Sequence, residues 1–375
     1  MSELRLGIVK AVSNIIKEGD YVSFLSLQFF EFGILKYFIS CAKIMIIYFM
    51  RRKNMEIEHI ILIVLGVLAI CWLILIACFV IACVCFFKTF YSPKSRKKMK
   101  NKVVDKASDI FIKNIDKLHA WRDEVASYPY EDVYITSFDG LKLHGKYYKV
   151  HENAPFEIFF HGYRGSADRD MNGGVLRALT HGRNALAVDQ RGGGTSEGTV
   201  ITFGVNESRD CEKWIDYVIS REANVKIILS GVSMGAATVL IASGRDLPKN
   251  VVGIVADCGY TSQKEMIMDT MYRMHLPAKL FYPFAILGGQ LFGHFNIDEV
   301  TPFEMMPKSK IPTIFYHGDN DAFVPHEMSK KNYDACASTN KRLVTIEGAG
   351  HAAAFLVNQE KYMKELEAFL EPLVK

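Results

Sequence analysis

Val225-Lys-Ile-Ile-Leu-Ser-Gly231-Val-Ser233-Met-Gly235-Ala-Ala-Thr-Val-Leu-Ile-Ala242 reads as strand, sharp turn and helix in immediate succession. Val225–Leu229 is an apolar, β-branched run, as expected for a strand covered on both faces. Met234–Ala242 is small and uncharged, as expected for a buried helix. Between them, Ser233 has a glycine two residues away on either side. Those glycines let the backbone turn without Cβ clashes, and the turn lifts the serine to the sheet edge. A glycine-rich phosphate loop is the competing reading, but no Lys-Ser/Thr pair follows.

Outward from this unit the same alternation continues. Phe156–Phe160, Ala185–Val188, Val251–Ala256, Thr313–Tyr316 and Leu343–Ile346 are further strand candidates. Helical spacing marks Arg169–Thr180, Glu207–Ser220, His326–Ala337 and Gln359–Leu370. Ahead of them, Val133–Phe138 and Leu141–Tyr147 alternate like strands around Asp139-Gly140, a hairpin signal. A hairpin leading into repeated β–α units predicts an α/β fold with a doubly wound, mostly parallel sheet. In such sheets chemistry gathers in loops after the strand C-terminal ends.

A serine hydroxyl needs a base, and the base needs an orienting acid. Both are expected after later strands, in the order Ser, Asp, His. Thr313–Tyr316 runs into His317-Gly-Asp-Asn-Asp321, and Leu343–Ile346 into Glu347-Gly-Ala-Gly-His351. His351 is the candidate base and Asp321 the candidate acid; Asp319 and Asp257 compete for the acid's place. His161, His317 and His294 follow no last strand and suit local hydrogen bonds. An oxyanion needs backbone N–H donors, expected from Met234, after the serine, and from Tyr163, in the loop His161-Gly-Tyr-Arg-Gly165. Arg164 suits either an anionic substrate group or a surface salt bridge.

These residues resemble the α/β-hydrolase superfamily, especially its membrane-anchored bacterial branch similar to the eukaryotic Bem46-type hydrolases. The matching pieces are His161-Gly-Tyr-Arg-Gly, Asp189-Gln-Arg-Gly-Gly-Gly-Thr-Ser196, Gly231-Val-Ser-Met-Gly235, Ala256-Asp-Cys-Gly-Tyr260, His317-Gly-Asp-Asn-Asp321 with Val324-Pro325, and Gly350-His351. They span roughly residues 130–370. The resemblance implies the α/β-hydrolase fold, an esterase-like triad and an N-terminal anchor, but no substrate, because one fold hosts esterases, thioesterases and peptidases.

Between Asp257 and Pro312 lies an insertion rich in methionine and aromatics, expected as a helical cap at about 260–305. It suits an adaptable apolar pocket for an acyl chain, or helices packing their apolar faces on the core. The expected chemistry is acyl-enzyme cleavage of a carboxylic ester or thioester, on a small-molecule or acylated substrate, with no metal or organic cofactor. The alternatives are a serine peptidase, with Asp269, Asp298 or Glu299 holding a substrate amino terminus, and a non-catalytic membrane scaffold.

Bulk properties fit this outline. Half of the 375 residues are hydrophobic, 23% are charged and the net charge is +4. The positive excess is local, in Lys88, Lys94, Arg96, Lys97, Lys98, Lys100, Lys102 and Lys106, so no distributed basic surface points to nucleic acid. The eight cysteines show no zinc-ligand spacing in a polar loop and no disulfide framework. Cys83 and Cys85 suit apolar fillers of a membrane helix, or lipidation sites. Ile60–Phe87 carries no charge and can cross a hydrocarbon core of about 30 Å with tilt. The basic residues after it place the following domain on the cytoplasmic side, as a single-pass membrane protein. The expected division is an N-terminal extension (1–54), an anchor (55–90), a basic flank with an amphipathic linker helix Asn101–Ala126 (91–128), and the catalytic domain (129–375). Tyr21–Met50 suits a second membrane-associated helix, and Met55 an alternative start.

Overall fold

The hairpin around Asp139-Gly140 opens the sheet: β1 (Glu131–Thr136) pairs antiparallel with β2 (Lys142–Tyr148), and Gly140 takes φ +90° at the turn. The computed structural model describes residues 57–93 and 109–375. The expected features at 1–54, the basic residues from Lys94 to Lys106 and the first part of the linker helix lie outside the described residues.

Six further strands follow: β3 (Phe156–Phe160), β4 (Asn184–Val188), β5 (Ile227–Val232), β6 (Val251–Asp257), β7 (Thr313–Gly318) and β8 (Lys341–Ile346). The eight form one sheet in the order β1-β2-β4-β3-β5-β6-β7-β8. β2 meets β4 antiparallel and every pair from β4 onward is parallel. Every residue of β3, β4 and β7 is buried, because helices cover both faces of a sheet built from β–α units. Phe156, Ile158 and Phe160 pack on one face with Trp214, Ile215 and Val239. Phe159 packs on the other with Val175 and Leu179.

Two expected helices differ in outline. Arg169–Thr180 is split at Met171 into Ala167–Asp170 and Asn172–Thr180. Gly173 and Gly174 open the second piece, where Cβ atoms would lie 2.9 Å from the Trp121 ring and 2.8 Å from the Phe159 ring. The described part of the linker forms Asp109–Lys113 and Ile115–Ser127, broken at Asn114, whose side-chain Nδ2 donates to the Ile110 carbonyl at 2.8 Å. This helix is not a free spacer. The Trp121 ring packs against Phe355, tilted, at 5.2 Å, and Val125 is buried.

The cap consists of Gln263–Arg273 and Ala278–Gly293, followed by a short helix, Pro302–Met305. Its apolar residues divide: Tyr272, Met274 and Leu280 are exposed, and others pack. Ile267, Met271, Tyr282, Ala285, Phe295 and Ile297 bury one another together with Phe86 and Phe90.

Among the described residues one helix, Ile61–Thr89, is long and apolar enough to cross a membrane; the full helix is Ile57–Thr89. The chain divides into two compact units, Met1–Ile81 and Ala82–Lys375. In the first, Leu62, Leu65, Trp72 and Leu73 are exposed. The second begins with the last turns of the helix, where Ala82 and Phe86 are buried.

His144 in β2 ties the hairpin to the rest of the sheet. Its Nδ1 lies 2.9 Å from Asp189 Oδ2 and its Nε2 2.8 Å from Asp132 Oδ1. Burial disfavours the imidazolium, but the two carboxylates outweigh burial and raise the pKa. Burial opposes the Asp189 charge too, yet His144, His161 and the amides of Thr195 and Ala167 bring that carboxyl down to about 2. A raised imidazole stabilises the fold below its unfolded value, about 6.5, and the stabilisation is lost as pH rises through the folded value. The melting temperature is therefore expected to fall as pH rises above about 6.5, and His144→Gln to flatten that slope. Equal slopes in a pH series of melts would remove His144 from this role.

Candidate active site

The sharp turn after β5 carries Ser233 at φ +56°, a left-handed conformation that side chains rarely adopt. The turn is closed by close approach on both sides. A Cβ on Gly231 would lie 2.1 Å from the Gly235 carbonyl oxygen, and one on Gly235 would lie 2.0 Å from the Phe160 carbonyl oxygen. Only glycine fits at either place, which accounts for the flanking pair. The Ser233 amide donates to the Asp257 carbonyl at the end of β6 (2.8 Å), fixing the strained residue from below.

The loops after β7 and β8 reach the same edge. His351 Nδ1 lies 2.8 Å from Asp321 Oδ2, and His351 Nε2 lies 2.9 Å from Ser233 Oγ. With Nδ1–H donating to the carboxylate, Nε2 is the acceptor for the serine hydroxyl. Asp321 Oδ1 accepts from the Phe323 and Val324 amides at 2.8 and 2.9 Å. Burial alone would raise this carboxyl, but hydrogen bonds from His317, His351 and Val324 hold it well below the usual range. It is an anion throughout the physiological range, and it is 8% exposed.

The rival acids go elsewhere. Asp319 Oδ1 accepts from the Gly348 amide at 2.7 Å and braces the loop beneath His351. Burial pushes Asp257 up to about 6 against the opposing influence of His317 and His351, and the structure pairs Asp321, not Asp257, with the imidazole. His317 Nε2–H donates to the Val324 carbonyl (2.8 Å) and lies 3.2 Å from Asp321 Oδ2, so it supports that carboxylate. His161 takes the local role expected of it: its Nδ1 contacts the Gly162 carbonyl and its Nε2 accepts from the Gln190 amide. Met234 starts the helix after Ser233 and is buried with Tyr260, Met266 and Val324, with Tyr163 alongside. Gly162 sits against Ser233; a Cβ there would be 3.6 Å from Ser233 Cβ. The loop carrying Tyr163 and the helix that starts at Met234 thus flank Ser233.

A family model described as serine aminopeptidase, S33, matches residues 156–289 and 303–355. The chain is 26% identical over 249 residues to the uncharacterized protein YqkD of Bacillus subtilis, covering 63% of this chain and 78% of that one. It is 23% identical to the alpha/beta hydrolase domain-containing protein WAV2 of Arabidopsis thaliana, over 64% and 79% of the two chains. Among solved structures, the Pyrococcus furiosus esterase Pf2001 superposes with a TM-score of 0.56 at 24% identity, covering 67% of this chain and 94% of that one. The chain has the α/β-hydrolase fold. The acetyl xylan esterase of Paenibacillus sp. R4 shares the fold at a TM-score of 0.52 and 19% identity, over 71% and 95% of the chains.

Three features of this α/β hydrolase escape sequence reasoning. Phe323 lies edge-on to the His351 ring at 4.9 Å and shields it on one side. Arg273, at the end of the first cap helix, donates to the Ala322 and Phe323 carbonyls and pairs with Asp269, so the cap is fastened to the loop that carries Asp321. The Arg164 guanidinium donates to the carbonyls of Lys88 and Tyr91. Nothing in the spacing of these residues announces a partner tens of positions away. Among the described residues, Cys258, Asp321 and His351 bring possible metal-ligand atoms within 4.8 Å of one another. Asp321 and His351 already pair with each other, and burial pushes the Cys258 thiol well up, favouring the protonated form that does not ligate.

Proposed function

We propose that this α/β hydrolase is a serine hydrolase that cleaves a carboxylic ester or thioester through an acyl-enzyme intermediate. The observation that carries the reading is the run of contacts Ser233–His351–Asp321 at 2.9 and 2.8 Å, on a serine held at positive φ. Ser233 Oγ attacks the carbonyl carbon while its proton passes to His351 Nε2. Asp321 stabilises the imidazolium and keeps Nδ1 protonated. The oxyanion is held by the N–H groups of Met234 and Tyr163. Collapse expels the alcohol or thiol, which takes the proton from His351. Water, deprotonated by the same imidazole, then releases the acid and restores Ser233. Every proton moves between groups of this chain, substrate and water.

Residues 55–90 serve in this proposal as a membrane anchor with the basic flank behind it and the catalytic domain (129–375) in the cytoplasm, as in a membrane-anchored, Bem46-type branch. Nearness to lipid favours an acylated substrate.

Peptidase activity is the second reading, favoured by the description of the matching family model. Against it, the carboxylates suited to hold a substrate amino terminus are engaged. Asp269 pairs with Arg273, Asp298 accepts from the Tyr282 hydroxyl at 2.5 Å, and Glu299 pairs with Arg209. A fluorophosphonate probe is expected to label Ser233 in the folded, detergent-solubilised protein. A panel of p-nitrophenyl esters of rising acyl length is expected to turn over, while aminoacyl amides are not. Turnover of the amides alone would overturn the esterase reading, and no labelling would leave a non-catalytic scaffold.

A further inference from the structure

We infer that Arg164 and the Tyr163 hydroxyl are positioning residues: they brace the oxyanion loop against the C-terminal end of the apolar helix, so that turnover depends on residues 86–92 as well as on Ser233, His351 and Asp321. The inference rests on the serine-hydrolase reading. All the residues concerned lie within the unit Ala82–Lys375.

The last carbonyls of a helix have no partner within it and carry the negative end of its dipole. Here the oxyanion loop supplies the donors. The Tyr163 hydroxyl donates to the Thr89 carbonyl at 2.5 Å. Arg164 Nη2 donates to the carbonyls of Lys88 at 2.9 Å and Tyr91 at 3.0 Å. A guanidinium at this end is favoured by charge as well as by hydrogen bonding.

The backbone makes the placement of Arg164 informative. Gly162-Tyr-Arg-Gly165 is a tight turn closed by the Gly165 amide on the Gly162 carbonyl (3.0 Å), and Arg164 occupies its third position at φ +55°. Glycine or asparagine is the ordinary choice there, and any other residue is strained. The strain is tolerated where surrounding contacts over-determine it, and the guanidinium supplies those contacts. Position 163 of the same turn carries the proposed oxyanion donor, and Gly162 is packed against Ser233. A shift of this turn therefore moves the donor relative to the nucleophile.

The surface it leans on is fixed. Phe90 is fully buried, edge-on to Phe295 at 5.1 Å and to Phe203 at 6.0 Å, and Phe203 in turn stacks on Tyr163 at 5.0 Å. Tyr91 bridges Val200, the Ile201 amide donates to the Phe90 carbonyl at 2.9 Å, and the Ser92 amide donates to the Thr199 carbonyl at 2.8 Å. The Ser92 hydroxyl donates to the Gly192 carbonyl at 2.9 Å. The exit of the helix is thus stitched to the domain on one side and bears the oxyanion loop on the other.

The test uses the full chain in detergent micelles with p-nitrophenyl butyrate. Arg164→Ala is expected to lower kcat by roughly 10- to 100-fold, the size of effect that small misplacement produces, with KM within about threefold of the parent. Arg164→Lys, which keeps a cation able to reach the same carbonyls, is expected to recover most of that loss. Tyr163→Phe keeps the backbone donor and the ring, and is expected to give a smaller loss with the same split. Parent kcat in Arg164→Ala, or a loss borne by KM alone, overturns the brace while labelling of Ser233 in the parent keeps the serine-hydrolase reading standing. A melting drop shared by Arg164→Lys, with no recovery of kcat, marks a purely structural role and also overturns it. A parent that is neither labelled nor active removes the reading and the inference together.

Discussion

Replacing Ser233 with alanine is expected to lower kcat toward a p-nitrophenyl ester by on the order of 10⁴-fold or more, with the circular dichroism of the fold unchanged. Alanine can occupy the same positive φ at the same cost, so the elbow survives while the hydroxyl facing His351 is gone. Asp321→Asn is expected to be about as damaging, for a reason legible in its hydrogen bonds. Asp321 Oδ1 accepts from two backbone amides, and an asparagine oxygen can keep both. At the other oxygen's place an NH₂ would face His351 Nδ1 and His317 Nε2, and His317 Nε2 is already a donor to the Val324 carbonyl. An NH₂ facing His351 favours the tautomer protonated on Nε2, which cannot take the serine proton. Because the three residues act on one proton, the double variant is expected to be no slower than Ser233→Ala alone. Multiplying losses, or parent turnover in either single variant, would dismiss the assigned roles.

The site was legible because its geometry imposes local sequence. A strand-to-helix elbow leaves no room for Cβ atoms beside Gly235 and Phe160, so glycines must flank the serine, and that requirement shows in a single chain. The loops after β7 and β8 were equally readable, since β-branched runs mark where a buried parallel strand ends. Choosing among Asp257, Asp319 and Asp321 was harder. All three follow strand ends, and which one meets His351 depends on loop conformation, which no periodicity encodes. The cap shows the same limit. Its apolar residues are plain in the sequence, but whether they line a cavity or bury one another is set by long-range packing with Phe86 and Phe90. The split of the expected Arg169–Thr180 helix at Met171 has a similar origin, in rings from distant elements that need the space above Gly173 and Gly174.

Glu157 is the most instructive residue the pattern conceals: a charge in the middle of an otherwise aromatic and aliphatic central strand. It is fully buried beneath the site. Its Oε1 accepts from Arg177 Nη2 at 2.6 Å and from the Ser230 hydroxyl, and its Oε2 accepts from Arg177 Nη1 at 3.1 Å and Arg183 Nε at 3.2 Å. Arg183 continues to Glu367 at 2.9 Å. Burial by itself would raise this carboxyl, but the charges of Arg177 and Arg183 and the Ser230 hydroxyl outweigh burial and hold it below its usual value. Glu157→Gln leaves Arg177 and Arg183, both nearly fully buried, without their shared counter-charge. Breaking a buried pair from one side costs about 3–5 kcal/mol, which in a domain of this size lowers the melting temperature by on the order of 10 °C at one scan rate. Removing Arg177 as well, as Glu157→Gln with Arg177→Met, is expected to cost less than the two single changes added together, since the stranded charge goes with it. The sign of the pH dependence follows from the depressed carboxyl. Its stabilisation is present above the unfolded value, about 4.3, and is lost as pH falls through the lower folded value. The parent is therefore expected to lose melting temperature on acidification more steeply than Glu157→Gln. An unchanged melting temperature in the single variant, or a parallel acid limb in both proteins, would show that the network contributes little to holding β3 and β5, and with them the loop of Tyr163 and the turn of Ser233, in place.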